Sequence, residues 1–171
     1  MWIVYFRPMR LKLLIFTLFL CPLLGLSQAD SLVVDTVAAV NQEVDSLISF
    51  ARQHLGKKYG NRPGSTQSFD CSGFVCHVYK NFDVHLPHGS GSQSTVCDRI
   101  DLLEAQPGDL LFFSGHKVSR KNIGHVALVT YNDGKETRMI HSTVHAGVIE
   151  EVYQHSEYFT RRFIMAGRIR R

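Results

Sequence analysis

The sequence predicts an α+β fold, N-terminal helices packed on a C-terminal antiparallel β-sheet. Three observations carry this. Helical periodicity is concentrated before Asn81, five strand-like segments then follow in series, and Gly, Pro and Asp residues punctuate the joints between them.

A polar stretch (Asp30 to Asn41) precedes a helix over about Val44 to Leu55, with Val44, Leu47, Ile48 and Ala51 on one face and Gly56 as its stop. A Gly/Pro/Ser-rich loop, Gly60 to Ser68, leads to a second helix over about Cys71 to Asn81. Its apolar stripe is Cys71, Phe74, Val75, Val78 and Phe82. Leu86 to Gln93 reads as loop, Ser92 to Val96 as a short helix, and Pro107-Gly108 as a turn. Strands are expected at Asp109 to Phe113, His125 to Tyr131, Glu136 to Ser142, Gly147 to Val152 and Phe163 to Arg170.

Residues 1–29 read as a secretory signal peptide. Arg7, Arg10 and Lys12 precede an apolar run from Leu13 to Leu26 that is short for a membrane span, and Ser27 and Ala29 supply small residues before a cleavage site. The basic, aromatic octapeptide before Met9 reads as an overextended start, since Met9-Arg10-Leu11-Lys12 alone would begin a well-formed signal. A retained anchor helix is the rival reading. Lipidation at Cys21 is disfavoured because bulky Leu20 stands where a lipobox wants a small residue. These 29 residues carry three of the nineteen Lys and Arg and none of the fifteen Asp and Glu, so the formal balance drops from +4 to +1 without them. The basic character belongs mostly to the signal, which argues against a nucleic-acid partner. The remaining chain comprises a polar extension, 30–43, and one domain, 44–171, of a length that supports one core, and the mature protein is not expected to span a membrane.

Three cysteines remain in the mature chain, and an odd number in an exported protein flags a free thiol. Cys71 and Cys76 cannot pair if both are helical, since five residues give about 7.5 Å of rise and about 140° of rotation. For Cys76 and Cys97, two ordinary semi-buried thiols are the favoured reading and a Cys76–Cys97 disulfide is its rival.

Cys71 stands apart because it opens a helix. Unpaired backbone N–H groups and the macrodipole favour a thiolate there, and a nearby imidazolium would lower the thiol pKa further. That makes Cys71 the candidate nucleophile, with its own N–H as an oxyanion donor. The imidazoles on offer are His125, in Gly124-His125-Val126-Ala127, and His141, in Ile140-His141-Ser142. Antiparallel partners share a face only if the register suits. An odd loop such as Asp133-Gly134-Lys135, or a bulge with the same effect, sets His141 opposite Ala127 and makes His125 its diagonal neighbour; a two-residue Asp133-Gly134 turn would put the two on opposite faces. The odd loop or its equivalent is expected.

From about Val44 to Arg170 the chain resembles the NlpC family of papain-like cell-wall cysteine peptidases. The resemblance rests on Asp70-Cys71-Ser72-Gly73-Phe74, Gln106-Pro107-Gly108-Asp109-Leu110-Leu111-Phe112-Phe113, Gly124-His125-Val126-Ala127, and Ile140-His141-Ser142 with Gly147-Val148. It implies a papain-like fold with the catalytic Cys at a helix N-terminus. It also implies Cys71 as nucleophile, His125 as general base and then acid, and His141 as the group that orients His125. Tyr59, Asp70 and Ser72 would line the subsite for a free stem-peptide amine. The implied substrates are peptidoglycan stem peptides or muropeptides, cut at the γ-D-glutamyl bond to the diamino acid, in the periplasm or cell envelope of a bacterium and with no cofactor. Rivals are an amidase of the same fold cutting another wall bond, and a catalytically silent wall-binding module.

The residues also admit plainer roles. His145 can replace His141, Asp70 can be only a helix N-cap, Ser72 a solvated first-turn residue, and Tyr59 a core residue. The chain reads Tyr59-Gly60-Asn61 where the family has Tyr-Gly-Gly, and Leu86-Pro87-His88 where it often has Leu-Pro-Arg. Lys117, Arg120 and Lys121 either meet an acidic substrate group or belong to a solvated loop. A metal site on His85 and His88 fits no zinc spacing.

Overall fold

No Gly or Pro interrupts the chain between Ser27 and Arg52, and in the computed structural model these residues form one helix, α1 (Ser27–Arg52). The stretch from Asp30, expected as a polar run ahead of the helix, is therefore helical. Once a turn has nucleated, each further residue adds a hydrogen bond at little cost, and Ala38 and Ala39 favour propagation. The structure describes residues 27–60, 65–119 and 121–170, so the expected signal lies almost wholly outside the described residues. The residues from Val37 onward form one compact unit.

After α1 the chain makes a two-residue parallel pair, β1 (Lys58–Tyr59) with β2 (Ser68–Phe69), and then enters α2 (Cys71–Lys80). A short helix, α3 (Ser90–Thr95), precedes the sheet strands β3 (Cys97–Ile100), β4 (Leu110–Ser114), β5 (Ile123–Asn132), β6 (Thr137–Thr143), β7 (Gly147–Val152) and β8 (Phe163–Ile169). A one-turn helix, α4 (Glu157–Thr160), lies between β7 and β8. The six strands form an antiparallel sheet in the order β3-β8-β4-β5-β6-β7. Five of them were expected. The edge strand β3 was not, because Cys-Asp-Arg-Ile has no legible strand pattern and is recruited by β8, with Cys97 facing Ile169.

Both faces of the sheet are covered. Leu47, Ile48 and Ala51 of α1 and Phe74, Val75 and Val78 of α2 pack with Leu110, Phe112, Val126, Leu128 and Ile140 on one face. Leu111, Phe113, Ala127, Val129 and Met139 face the other way, against Tyr153 and Phe159. This is why β4 is buried at all five positions.

The β5–β6 register decides the site. The connecting turn has four residues, since Asn132 pairs with Thr137, and that parity alone would separate the two histidines. A bulge between Val129 and Tyr131 restores it: beyond the bulge Val129 faces Met139 and Leu128 faces Ile140, so the continued ladder sets Ala127 opposite His141. The expected three-residue loop is absent and the equivalent bulge is present. The extra residue, Thr130, is buried and donates its Oγ1 hydrogen to Oε1 of Glu150 at 2.6 Å. Arg52 of α1 holds that carboxylate in turn, at 2.7 and 3.0 Å.

Candidate active site

Asp70 determines where α2 begins. Its backbone is extended (φ −78°, ψ 175°) and its Oδ1 accepts from the Gly73 N–H at 2.6 Å, so Asp70 is the N-cap and Cys71 the first helical residue. Ser72 Oγ donates to the same oxygen at 3.1 Å. The helix start is tied on one side to the sheet and on the other to α3: Ser142 Oγ of β6, next to His141, donates to the Phe69 carbonyl at 2.6 Å, and Gln93 Nε2 of α3 donates to the Ser72 carbonyl at 3.0 Å. Cys71 is thereby held against β5, where the backbone N–H of Val126 points at its sulfur.

His125 and His141 lie on the sheet face that carries Phe113 and Phe159. Nε2 of His125 is 2.8 Å from Nδ1 of His141, and His141, fully buried, has its Nε2 2.8 Å from Oε1 of Glu151. The Phe159 ring stacks on His125 at 5.3 Å between centroids and meets His141 edge-on at 4.8 Å. Cys71, His125, Tyr59 and Glu151 line one open cleft of about 670 Å³, a size that suits a small peptide. His145 also reaches this cleft, but from the exposed turn between β6 and β7; the partner of His125 is His141.

The electrostatics correct one expectation. Burial pushes the Cys71 thiol above its ordinary value and the Asp70 charge adds to this, while the N–H groups of Val126, Ser72 and Cys71 itself pull the other way without winning. Burial, assisted by His141, pushes His125 down to about 3. The resting pair is thus a thiol and a neutral imidazole. The expected thiolate at the helix end is outweighed because desolvation penalises a charge that only dipoles and N–H groups support.

The three proposed substrate residues are placed differently from one another. Tyr59 is on the cleft wall, 39% exposed; burial raises its hydroxyl pKa, and the nearby Cys71 and Asp70 push it the same way. Asp70 and Ser72 are buried, with Oδ1 of Asp70 committed to the cap and Oδ2 3.5 Å from His88 Nε2. Lys117 and Lys121 are on an exposed loop, and Arg120 lies outside the described residues. Cys71, Cys76 and Cys97 are all free thiols. Among the described residues no three of His, Cys, Asp or Glu are grouped to hold a metal ion, and no helix is long and apolar enough to cross a membrane.

Sequence reasoning missed Glu151 and Phe159. A signal existed for Glu151: with Thr143 paired to Gly147, the three-residue β6–β7 turn puts Glu151 on the same face as His141. Phe159 sits on a one-turn helix too short to show a period.

Residues 56–168 match the model of the NlpC/P60 family. The chain belongs to that family. Among relatives, the Gamma-DL-glutamyl hydrolase of Bacillus subtilis is 32% identical over 136 residues, which cover 78% of this chain and 32% of that protein. The Gamma-D-glutamyl-L-lysine dipeptidyl-peptidase of Bacillus cereus is 38% identical over 98 residues, 57% of this chain and 28% of that one. The chain therefore spans about a third or less of the length of these NlpC/P60 relatives. The Probable endopeptidase NlpC of Escherichia coli is 32% identical over 113 residues, 66% of this chain and 68% of that one. The crystal structure of an NlpC/P60 family protein from Bacillus cereus superposes with a TM-score of 0.65 at 31% identity, over 74% of this chain and 40% of that one. These NlpC/P60 neighbours carry the papain-like arrangement of helices on an antiparallel sheet.

Proposed function

We propose that this protein is a cysteine endopeptidase that hydrolyses peptidoglycan stem peptides at the γ-D-glutamyl bond to the diamino acid. The observation that carries the reading is that the helix-capped Cys71 and His125 line one open cleft, with the buried His141 in contact with His125 behind it. The names of the Bacillus relatives, a glutamyl hydrolase and a glutamyl-lysine peptidase, support the choice of bond.

In this reading Cys71 Sγ attacks the scissile carbonyl carbon while its proton passes to His125. The carbonyl oxygen takes the negative charge and accepts from the N–H of Cys71. The C–N bond then breaks as His125 returns the proton to the leaving amine. Water, deprotonated by His125, releases the thioester as a carboxylic acid and restores the thiol. His141 orients His125 throughout. Tyr59, Asp70 and Ser72 form the amine subsite, in which Oδ2 of Asp70 is the oxygen not taken by the cap.

Residues 1–29 act as an export signal that delivers the mature chain, beginning at Asp30, to the periplasm or cell envelope. N-terminal sequencing of the exported protein tests that; a retained Met1 or Met9, or a lipid on Cys21, contradicts it.

The activity is tested by mass spectrometry of defined muropeptides. The expected new product begins with the diamino acid, and Cys71→Ser and His125→Ala should abolish it. A sugar-to-peptide cleavage product would indicate an amidase, and binding without any product a silent wall-binding module.

A further inference from the structure

His141 lies on β6 between two strands, with Ala127 of β5 opposite it by continuation of the ladder and Ile149 of β7 opposite it on the other side. Two residues from Ala127 is His125, and two residues from Ile149 is Glu151. By the strand period all three polar side chains share one sheet face, as diagonal neighbours across three adjacent strands. The two links they form are each 2.8 Å. His141 is fully buried and Phe159 covers both rings, so little room remains for water to take over either link.

The hydrogens on these links follow from what each group can do. An ionised carboxylate only accepts, so Nε2 of His141 carries the hydrogen that points at Glu151. A neutral His141 then has its lone pair on Nδ1 and accepts from Nε2–H of His125. That leaves the lone pair of neutral His125 on Nδ1. We propose that Glu151 is a positioning residue which, through His141, fixes His125 in the tautomer whose Nδ1 can take the thiol proton, and which steadies the imidazolium as it forms. The inference rests on the reading of His125 as the general base. It matters here because the resting pair is neutral: a preformed imidazolium has hydrogens on both nitrogens and no tautomer to control.

Glu151 has 28% of its side chain exposed at the cleft wall, so the site left by its removal is open to a small anion. The experiment compares wild type, Glu151→Ala and Glu151→Gln by ring 15N NMR of the histidines and by turnover of a muropeptide. In wild type both His125 and His141 should be Nε2–H tautomers. In Glu151→Ala the two rings should populate mixed tautomers, kcat/KM should fall on the order of tenfold to a hundredfold, and added formate should restore part of it. Glu151→Gln, which keeps the volume and loses the charge, should also be slower and should not respond to formate. Unchanged tautomers in Glu151→Ala, or a kcat/KM within about twofold of wild type, would overturn the proposal. The NMR measurement needs no substrate, so it tests Glu151 whatever the hydrolase assay gives. Wild-type turnover in His125→Ala would instead remove the base assignment.

Discussion

Nε2 of His125 and Nδ1 of His141 are 2.8 Å apart, although the residues are sixteen positions apart in sequence and on different strands. The contact exists because a bulge at Thr130 corrects a turn of the wrong parity. If His125 is the base, an acceptor at that point holds its ring, so His141→Ala should lower kcat/KM by on the order of 10² or more, whereas His141→Asn, which keeps a side-chain acceptor, should lose less. Steady-state kinetics of both variants on one muropeptide would check this. Equal losses would mean that the site needs the imidazole itself.

The thiol makes a sharper test, because burial raises its pKa. The alkylation rate of Cys71 by iodoacetamide should still be climbing at about pH 9, with no plateau near neutrality. Cys97, buried and pushed up to about 11, should react last. A rate for Cys71 that is flat from pH 5 to 8 would restore the thiolate–imidazolium pair that the helix-start position suggests.

His125 also links stability to pH. Its pKa is about 3 in the folded protein against 6.5 for an unperturbed histidine. Above pH 6.5 neither state binds the proton and the group is silent. Between about 6.5 and about 3 only the unfolded state binds it, so unfolding free energy declines as pH falls, by up to about 1.4 kcal/mol per pH unit. Burial depresses His54 and His77 in the same direction, so the comparison must be with His125→Asn. Urea midpoints from pH 7.5 to 4.5 should drop more steeply for wild type than for that variant.

Asp70 is at once a cap and, in the proposed subsite, a charge. Asp70→Ala should cost about 1 kcal/mol of stability through loss of the acceptor for the Gly73 N–H, and Asp70→Asn should cost less. If the charge binds an ammonium, Asp70→Asn should still narrow the rate difference between stems with a free and an acetylated N-terminal amine. Thermal melts and competition assays on the two stems separate the roles.

Gly124 precedes His125 where β4 and β5 approach closely. A Cβ there would lie 2.5 Å from Cα and 2.8 Å from N of Gly115, both backbone atoms that cannot give way alone. Gly124→Ala should therefore cost roughly 1–3 kcal/mol and displace His125, with a loss of kcat larger than the stability change explains. Wild-type kcat in a folded Gly124→Ala protein would contradict this.

Much of this molecule is local, and local features are legible. The start of α2 is marked by Asp70 and by the apolar stripe behind Cys71, and β4 to β8 are marked by their runs of apolar residues and their turns. Cys71, His125 and His141 could be singled out because each stands at a recognisable junction or in a strand pattern, whereas the shared face of the two histidines depends on the bulge at Thr130, which offsets the parity of a four-residue turn.

Periodicity and turn chemistry act over a few residues, so the sequence alone was enough for the order of the main elements and for Cys71, His125 and His141 as candidate site residues. Tertiary structure decided the rest. It recruited β3 through pairing with β8, brought Glu151 behind His141, laid Phe159 over both rings, and through burial pushed the pKa of Cys71 up and that of His125 down. None of these is a property of a short segment: each depends on which strands become neighbours and on how much water the packed chain leaves around a charge.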